Sequence, residues 1–167
     1  MTMKNYAKHN IYIDMDGVLA DFDGADGAVA RFKVEHNFFE KLAPLHKNVA
    51  AVKQLLADGR HQVYILTASP NKWADASKRR WLKEYLPELA DGNIIICRCG
   101  DRKRDFMKTE TGILLDDWAK NLIQWTEADG NRGYQIKADG DIATAIKVIN
   151  GLPAYEYRGV SLRALGY

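Results

Sequence analysis

Ile11-Tyr12-Ile13, an apolar and largely β-branched run, leads directly into Asp14-Met15-Asp16-Gly17-Val18-Leu19-Ala20-Asp21. The run reads as a strand buried on both faces of a parallel sheet. Such a strand should not end in acids. An ionised carboxylate beside a core is costly unless something pairs with it, so Asp14 and Asp16 together predict a bound cation. Gly17 lets the backbone turn sharply next to the ligand. In an open α/β sheet, ligands bind outside the carboxyl ends of the strands, so position and chemistry agree. A plain turn is the bland alternative, because Asp and Gly are common turn residues. A calcium loop fails: counted from Asp14, Val18 and Leu19 stand where an oxygen ligand and a glycine are needed, and counted from Asp21 the same places hold Ala25 and Asp26.

The following chain alternates strand and helix signals. Residues 22–45 read as an insertion over the site, with a helix-like piece from Ala28 to His36 and the run Phe38-Phe39-Glu40-Lys41-Leu42-Ala43-Pro44-Leu45. Val49, Val52, Leu55 and Leu56 recur at helical spacing, and Asp58-Gly59 supplies a stop. His61 to Leu66 is the second strand and runs into Thr67-Ala68-Ser69-Pro70, which brings hydroxyls to a second strand end. Trp73 to Leu86 is a helix with a basic shoulder at Lys78-Arg79-Arg80, Asn93 to Cys97 a third strand, and Arg98 to Lys108 a polar loop. Ile113-Leu114-Leu115 ends at a second acidic pair, Asp116-Asp117; a helix from Trp118 to Ala128, a short strand Tyr134 to Ile136 and a helix through Ile142 to Gly151 follow. This order predicts right-handed crossovers and a three-layer, Rossmann-like parallel α/β sheet. A small helical cap is inserted after its first strand. The core is expected to comprise residues 1–21 and 46–151 and the cap 22–45, with 152–167 a tail without assignment.

The 167 residues suit one domain, and a formal charge of +2 is too small to imply a nucleic-acid partner. No apolar run approaches a membrane span, and the first residues lack the apolar core of a signal peptide, so a cytoplasmic location is expected. Cys97 and Cys99 read as reduced residues packing within a strand, and the scattered histidines give no zinc spacing.

Successive strand ends thus carry Asp14 and Asp16, then Thr67 and Ser69, then Lys103, then Asp116 and Asp117. Mg²⁺ wants hard oxygen ligands and keeps several waters, which a few carboxylates and a substrate phosphate can complete. A lysine offsets the mutual repulsion of clustered acids, and hydroxyls with backbone N–H groups hold phosphate oxygens. These residues resemble the haloacid dehalogenase-like phosphatase superfamily, whose first motif has the form Asp-x-Asp-Gly. Within it, the paired Phe and Leu-x-Pro run at Phe38 to Leu45 is most similar to the 5′(3′)-deoxyribonucleotidases.

The resemblance implies that Asp14 is a nucleophile forming an aspartyl-phosphate and that Asp16 is the general acid and base. It implies Mg²⁺ on the Asp14 carboxylate, the Asp16 backbone carbonyl and Asp117, with Asp116 beside it. Thr67, the backbone of Ala68 and the hydroxyl of Ser69 would hold the phosphate. Lys103 matches the motif lysine and Lys78 a second one, with Lys108 a substitute for Lys103; Phe22 and Phe39 would line a slot for the base. On general grounds Phe38 and Phe39 are core residues, and Arg79 and Arg80 a solvated helix face. The sequence departs from the pattern in the extra residue of Thr67-Ala68-Ser69-Pro70, in a short cap, and in Trp118, which stands where some members carry Arg.

The function expected is a Mg²⁺-dependent phosphomonoesterase acting on a small phosphate ester, a nucleoside monophosphate foremost. The alternatives are a polynucleotide-end phosphatase using Arg79, Arg80, Arg102 and Arg104, a phosphatase of other small metabolites, and a non-catalytic metal-binding domain. The oligomeric state is left open, a homodimer included.

Overall fold

The computed structural model describes residues 7–153. The N-terminal residues 1–6 and nearly all of the expected tail lie outside them. Five strands, Asn10–Ile13 (β1), Gln62–Ser69 (β2), Ile94–Arg98 (β3), Ile113–Asp116 (β4) and Arg132–Gln135 (β5), form one all-parallel sheet. Its order is β3-β2-β1-β4-β5, so the chain builds outward from β1 on one side and then returns to build on the other. That reversal makes the carboxyl ends of β1 and β4 the switch point of the sheet. Asp14 follows the one, and Asp116 ends the other.

Alternation along β1 sorts the core. Ile11 and Ile13 join the larger apolar cluster with Val52, Leu55, Trp81, Ile142 and Ile149 of the helices His46–Asp58 (α2), Lys72–Tyr85 (α3) and Asp141–Gly151 (α5). Tyr12 points the other way, into a smaller cluster with Tyr64, Leu114 and Trp125, the last on the helix Ala119–Thr126 (α4). Helices therefore cover both faces, as the alternating pattern predicts. Gly59, at φ 64°, closes α2 in the left-handed conformation that glycine tolerates best. Asn71 caps α3, its side chain accepting from the N–H groups of Trp73 and Ala74.

Several boundaries differ from the sequence reading. The second strand continues through Thr67 and Ala68 to Ser69, because Ile96, Cys97 and Arg98 of β3 lie beside them as ladder partners. Asn93 belongs to a short 3₁₀ turn before β3, and Cys99 lies beyond the strand and is exposed, so only Cys97 packs within it. The helix expected from Ala28 to His36 is confined to Ala28–Arg31 (α1). Of the apolar side chains there, Ala28 and Phe32 pack on the core while Val29 and Val34 are 79% and 71% exposed, so no apolar stripe supports further turns.

The segment 22–45 is stitched to the core at its base. Leu45 N–H donates to Leu19 O, Asp21 N–H to Ala43 O, Trp81 Nε1 to Leu42 O and Glu40 N–H to Ser77 Oγ. Phe38, Phe39 and Leu42 are buried in the main cluster. Among the described residues no helix is long and apolar enough to cross a membrane.

Candidate active site

The loop after β1 is wound tightly, with the N–H groups of Val18, Leu19 and Ala20 all donating to Met15 O. Gly17 has φ 72°, and a Cβ there would collide with the Asp117 carboxylate. The two acidic motifs can approach only because this position is glycine. Asn48, a lone polar side chain on the apolar face of α2, anchors the loop from below. Its amide donates to Val18 O and Ala138 O and accepts from the N–H groups of Gly140 and Ile142.

Asp14, Asp116 and Asp117 each bring one carboxylate oxygen within 4.8 Å of the others. Lys103 sits among them, buried, with Nζ 2.8 Å from Asp14 Oδ1 and 2.6 Å from Asp116 Oδ2. Burial alone would lower the pKa of this ammonium, but Asp14 and Asp116 outweigh burial and hold it raised. Asp14 Oδ1 also accepts from Met15 N–H at 2.8 Å. Among the described residues no donor reaches Asp14 Oδ2, which leaves that oxygen available.

Asp116 is saturated. Its Oδ1 accepts from Trp118 N–H and Asn121 Nδ2, and its Oδ2 from Lys103 and Asn121 Nδ2. It is fully buried, and burial together with the Asp14 charge pushes its carboxyl up to about 6 against the pull of Lys103. Asp117 has no such cation. Burial, then Asp14 and Asp116, raise it to about 7. The donor set therefore fits a hard divalent cation: three clustered carboxylates share one lysine, and Asp117, with no lysine in contact, is the acid most in need of positive charge. Asp14 and Asp117 have oxygens to give it, whereas Asp116 is occupied in holding Lys103.

Asp16 lies apart from this cluster. Its Oδ2 accepts from Lys78 Nζ at 2.5 Å, and its Oδ1 is buried without a partner among the described residues. Burial raises the pKa of this carboxyl, and Lys78 only partly opposes it. Lys78, buried on α3, also donates to Thr67 Oγ1 at 2.7 Å and rests over the Phe39 ring, 4.4 Å from its centroid.

A cleft of about 460 Å³ opens on these groups, lined among others by Asp14, Asp16, Lys103, Asp117, Ala68 and Phe22. Two sequence expectations need correction. The Ser69 hydroxyl is fully buried and donates to Asn71 O, because alternation along β2 turns Ser69 inward with Thr67 and leaves Ala68 toward the cleft. Phe39 borders the cleft but is 1% exposed, packed edge-on against Phe38 with the Lys78 ammonium over its ring, so it offers no open face to a base. Phe22 is partly exposed and does face the cleft. Lys108 is remote from the acids: its Nζ donates to Gly92 O and its N–H to the Tyr12 hydroxyl.

Sequence reasoning passed over three residues. Asn121 bridges both oxygens of Asp116, and an Asn in the first turn after an acidic pair was the available signal. Tyr12, whose hydroxyl bonds Thr109 Oγ1 and accepts from Lys108 N–H, pins the loop that delivers Lys103; a hydroxyl within an otherwise aliphatic strand pointed to it. Asn48 is the third.

Comparison with known proteins agrees with this arrangement. Residues 25–132, more than half of the chain, match the family model described as 5′ nucleotidase, deoxy (Pyrimidine), cytosolic type C protein. No curated protein matches the chain. Among solved structures, the Pnkp1/Rnl/Hen1 complex is similar at 16% identity and a TM-score of 0.55 over 80% of this chain and 47% of that one. The chain thus spans about half the length of that structure. A haloacid dehalogenase-like hydrolase of Burkholderia xenovorans aligns at 15% identity and a TM-score of 0.51, covering 88% of this chain and 90% of that one. An uncharacterized protein of Corynebacterium glutamicum aligns at 18% identity and 0.50, over 90% and 100% of the respective chains. At these identities the likeness establishes the fold alone. The family match extends over most of segment 22–45, Thr67, Lys103 and the acidic pair, and the chain accordingly belongs to the cytosolic type C 5′ deoxynucleotidase family, on a haloacid dehalogenase-like fold.

Proposed function

We propose that this protein is a Mg²⁺-dependent phosphomonoesterase that hydrolyses nucleoside monophosphates through an aspartyl-phosphate. The observation that carries the reading is the asymmetry of Asp14. Lys103 and the Met15 N–H fix one oxygen, and among the described residues no donor reaches the other, on a carboxylate that lines the cleft. A carboxylate held in this way is oriented for attack and keeps a lone pair for it.

Asp14 Oδ2 attacks phosphorus, and the ester oxygen leaves with a proton from Asp16, whose raised pKa suits a general acid. Asp16, now a base, takes a proton from the water that attacks the aspartyl-phosphate; phosphate leaves and Asp14 is regenerated. Lys78 holds Asp16 and Thr67 in one frame, so the acid and the end of β2 beside the cleft keep a fixed separation. The phosphate would meet the backbone at Ala68, the residue of this strand end that lines the cleft, while Thr67, buried with its hydroxyl on Lys78, and Ser69 brace it from behind. Asp14, Asp117 and the Asp16 main-chain carbonyl would hold Mg²⁺, which when bound supplies positive charge to the phosphoryl oxygens.

The polynucleotide alternative needs free cations along a track. Arg80 pairs with Glu40, and Arg102 and Arg104 both pair with Glu127. Three of the four guanidiniums on which that alternative would draw are thus engaged, with Arg79 the exception, which favours a small substrate. The test is phosphate release from a panel of ribo- and deoxyribonucleoside 5′- and 3′-monophosphates and p-nitrophenyl phosphate, with and without Mg²⁺. Metal-dependent hydrolysis of the mononucleotides is expected. Folded protein inert on every ester, p-nitrophenyl phosphate included, would overturn the reading and leave a non-catalytic metal-binding domain.

A further inference from the structure

With Phe39 closed, the cleft needs another surface if it is to recognise an organic leaving group. Trp118 directly follows Asp117, borders the same cleft as Asp14 and Lys103, and is 58% exposed. An indole left open beside buried carboxylates loses hydrophobic stabilisation that packing would have supplied. Its root is nonetheless rigid. Trp118 N–H donates to Asp116 Oδ1 at 2.8 Å, and the residue stands at the N-cap of α4, so its main chain is tied to the carboxylate that holds Lys103. Lys120 Nζ lies over the ring, 5.4 Å from its centroid, which favours one orientation of the indole and brings a cation to the cleft. From the cap, Phe22 and Phe32 line the same cleft, locked edge to face at 5.8 Å, with Phe22 also edge-on to Phe38 at 5.7 Å. An exposed aromatic surface on the core side, fixed at its main chain, thus shares a cleft of about 460 Å³ with Asp14.

From this geometry we infer that Trp118 is the stacking wall for the leaving group, so that the cleft selects phosphomonoesters whose alcohol carries a planar aromatic ring, nucleosides first among them. This rests on the phosphatase reading of the same cleft and adds its specificity determinant. Every base has a π-face, so a tryptophan wall selects for a base without choosing which one. The prediction is preference for nucleotides over aliphatic esters with little discrimination among bases.

The experiment has two arms. In turnover, Trp118→Ala should lower kcat/KM for a deoxynucleoside monophosphate about tenfold more than for glycerol 2-phosphate, equivalent to ~1.4 kcal/mol, with the loss mainly in KM. Trp118→Phe should restore most of it. In binding, a deoxynucleoside monophosphate should quench the intrinsic fluorescence of the Asp14→Asn protein and fail to do so in Asp14→Asn/Trp118→Phe. Equal losses on both esters, or quenching that survives the loss of Trp118, would overturn the inference. Quenching that depends on Trp118 in a protein whose wild type hydrolyses nothing would uphold the stacking wall and refute the phosphatase reading, so the two failures are distinguishable.

Discussion

Replacing Lys103 by Met tests the charge balance on which the site depends. Lys103 is 3% exposed, with its ammonium 2.8 Å from Asp14 and 2.6 Å from Asp116. Methionine keeps much of the volume and removes the charge, leaving two neighbouring buried carboxylates with no cation between them. Breaking a buried pair in this way costs about 3–5 kcal/mol, a large share of the ~5–15 kcal/mol that stabilises a typical domain. The cost should depend on pH, and its sign follows from Asp116. That carboxyl is already raised to about 6 by burial and by Asp14, and removing Lys103 raises it further. An acid with a higher pKa folded than unfolded binds its proton more tightly in the native state. Its penalty is absent below the unfolded value of about 4, grows as pH rises, and is complete above the folded value. Urea unfolding with chelator present should therefore show a larger loss near pH 8 than near pH 5. Adding Asp116→Asn should recover more than half of the loss at the higher pH. A destabilisation below about 1 kcal/mol, or one equal at both pH values, would refute the argument.

Asp14→Asn should cut turnover by roughly 10³-fold or more while holding or raising the urea midpoint, since an amide cannot form the acyl-phosphate and relieves repulsion at Asp117. Chelation should silence the wild type and Mg²⁺ restore it, with calcium a poor substitute because its looser shell orients the carboxylates less well; activity unchanged in excess chelator would contradict this. Gly17→Ala should lose about 1–2 kcal/mol from the positive φ alone and raise the Mg²⁺ concentration for half-activity, because the new methyl displaces the Asp117 carboxylate; an unchanged metal requirement would count against Asp117 as a ligand. Phe39→Ala should cost about 3–5 kcal/mol of stability and reduce turnover of nucleotides and p-nitrophenyl phosphate alike, as expected of a packed ring that supports Lys78. A loss confined to nucleotides would return Phe39 to the base-binding surface.

The sheet was legible because strands buried on both faces leave a simple record. Ile94-Ile95-Ile96 and Ile113-Leu114-Leu115 are short, continuous, largely β-branched apolar runs of the kind that a covered parallel sheet accommodates, and the helical spacing of Val49, Val52 and Leu55 supplies the cover. The acids were legible for the complementary reason that carboxylates at the ends of such strands have no place in a core. Less legible was everything that depends on direction. Composition marks Ser69 as a hydroxyl beside a phosphate site, but only the extension of β2, which depends on the register with β3, turns it away from the cleft. The cap was the hardest part to read. Its shape comes from hydrogen bonds to α3 and from packing of Phe38, Phe39 and Leu42, neither of which follows a local period.

Those same contacts bear on the expectation that specificity resides in the cap and catalysis in the sheet. Lys78 is the hinge of the matter. Its ammonium holds Asp16 and Thr67 while lying over the ring of Phe39, and its neighbour Ser77 accepts the N–H of Glu40. The anchor of segment 22–45 and the partner of Asp16, the proposed general acid, are thus carried on one turn of α3. A change in how the cap packs shifts Lys78, and a shift of Lys78 alters the position of Asp16. Substitutions at the base of the cap should therefore affect turnover of every ester, whereas those at its open rim, at Phe22 and Phe32, can alter substrate preference without disturbing the proton transfer. On the proposed mechanism, the division between recognition and chemistry would run through segment 22–45 itself, at the level of the Phe39 ring.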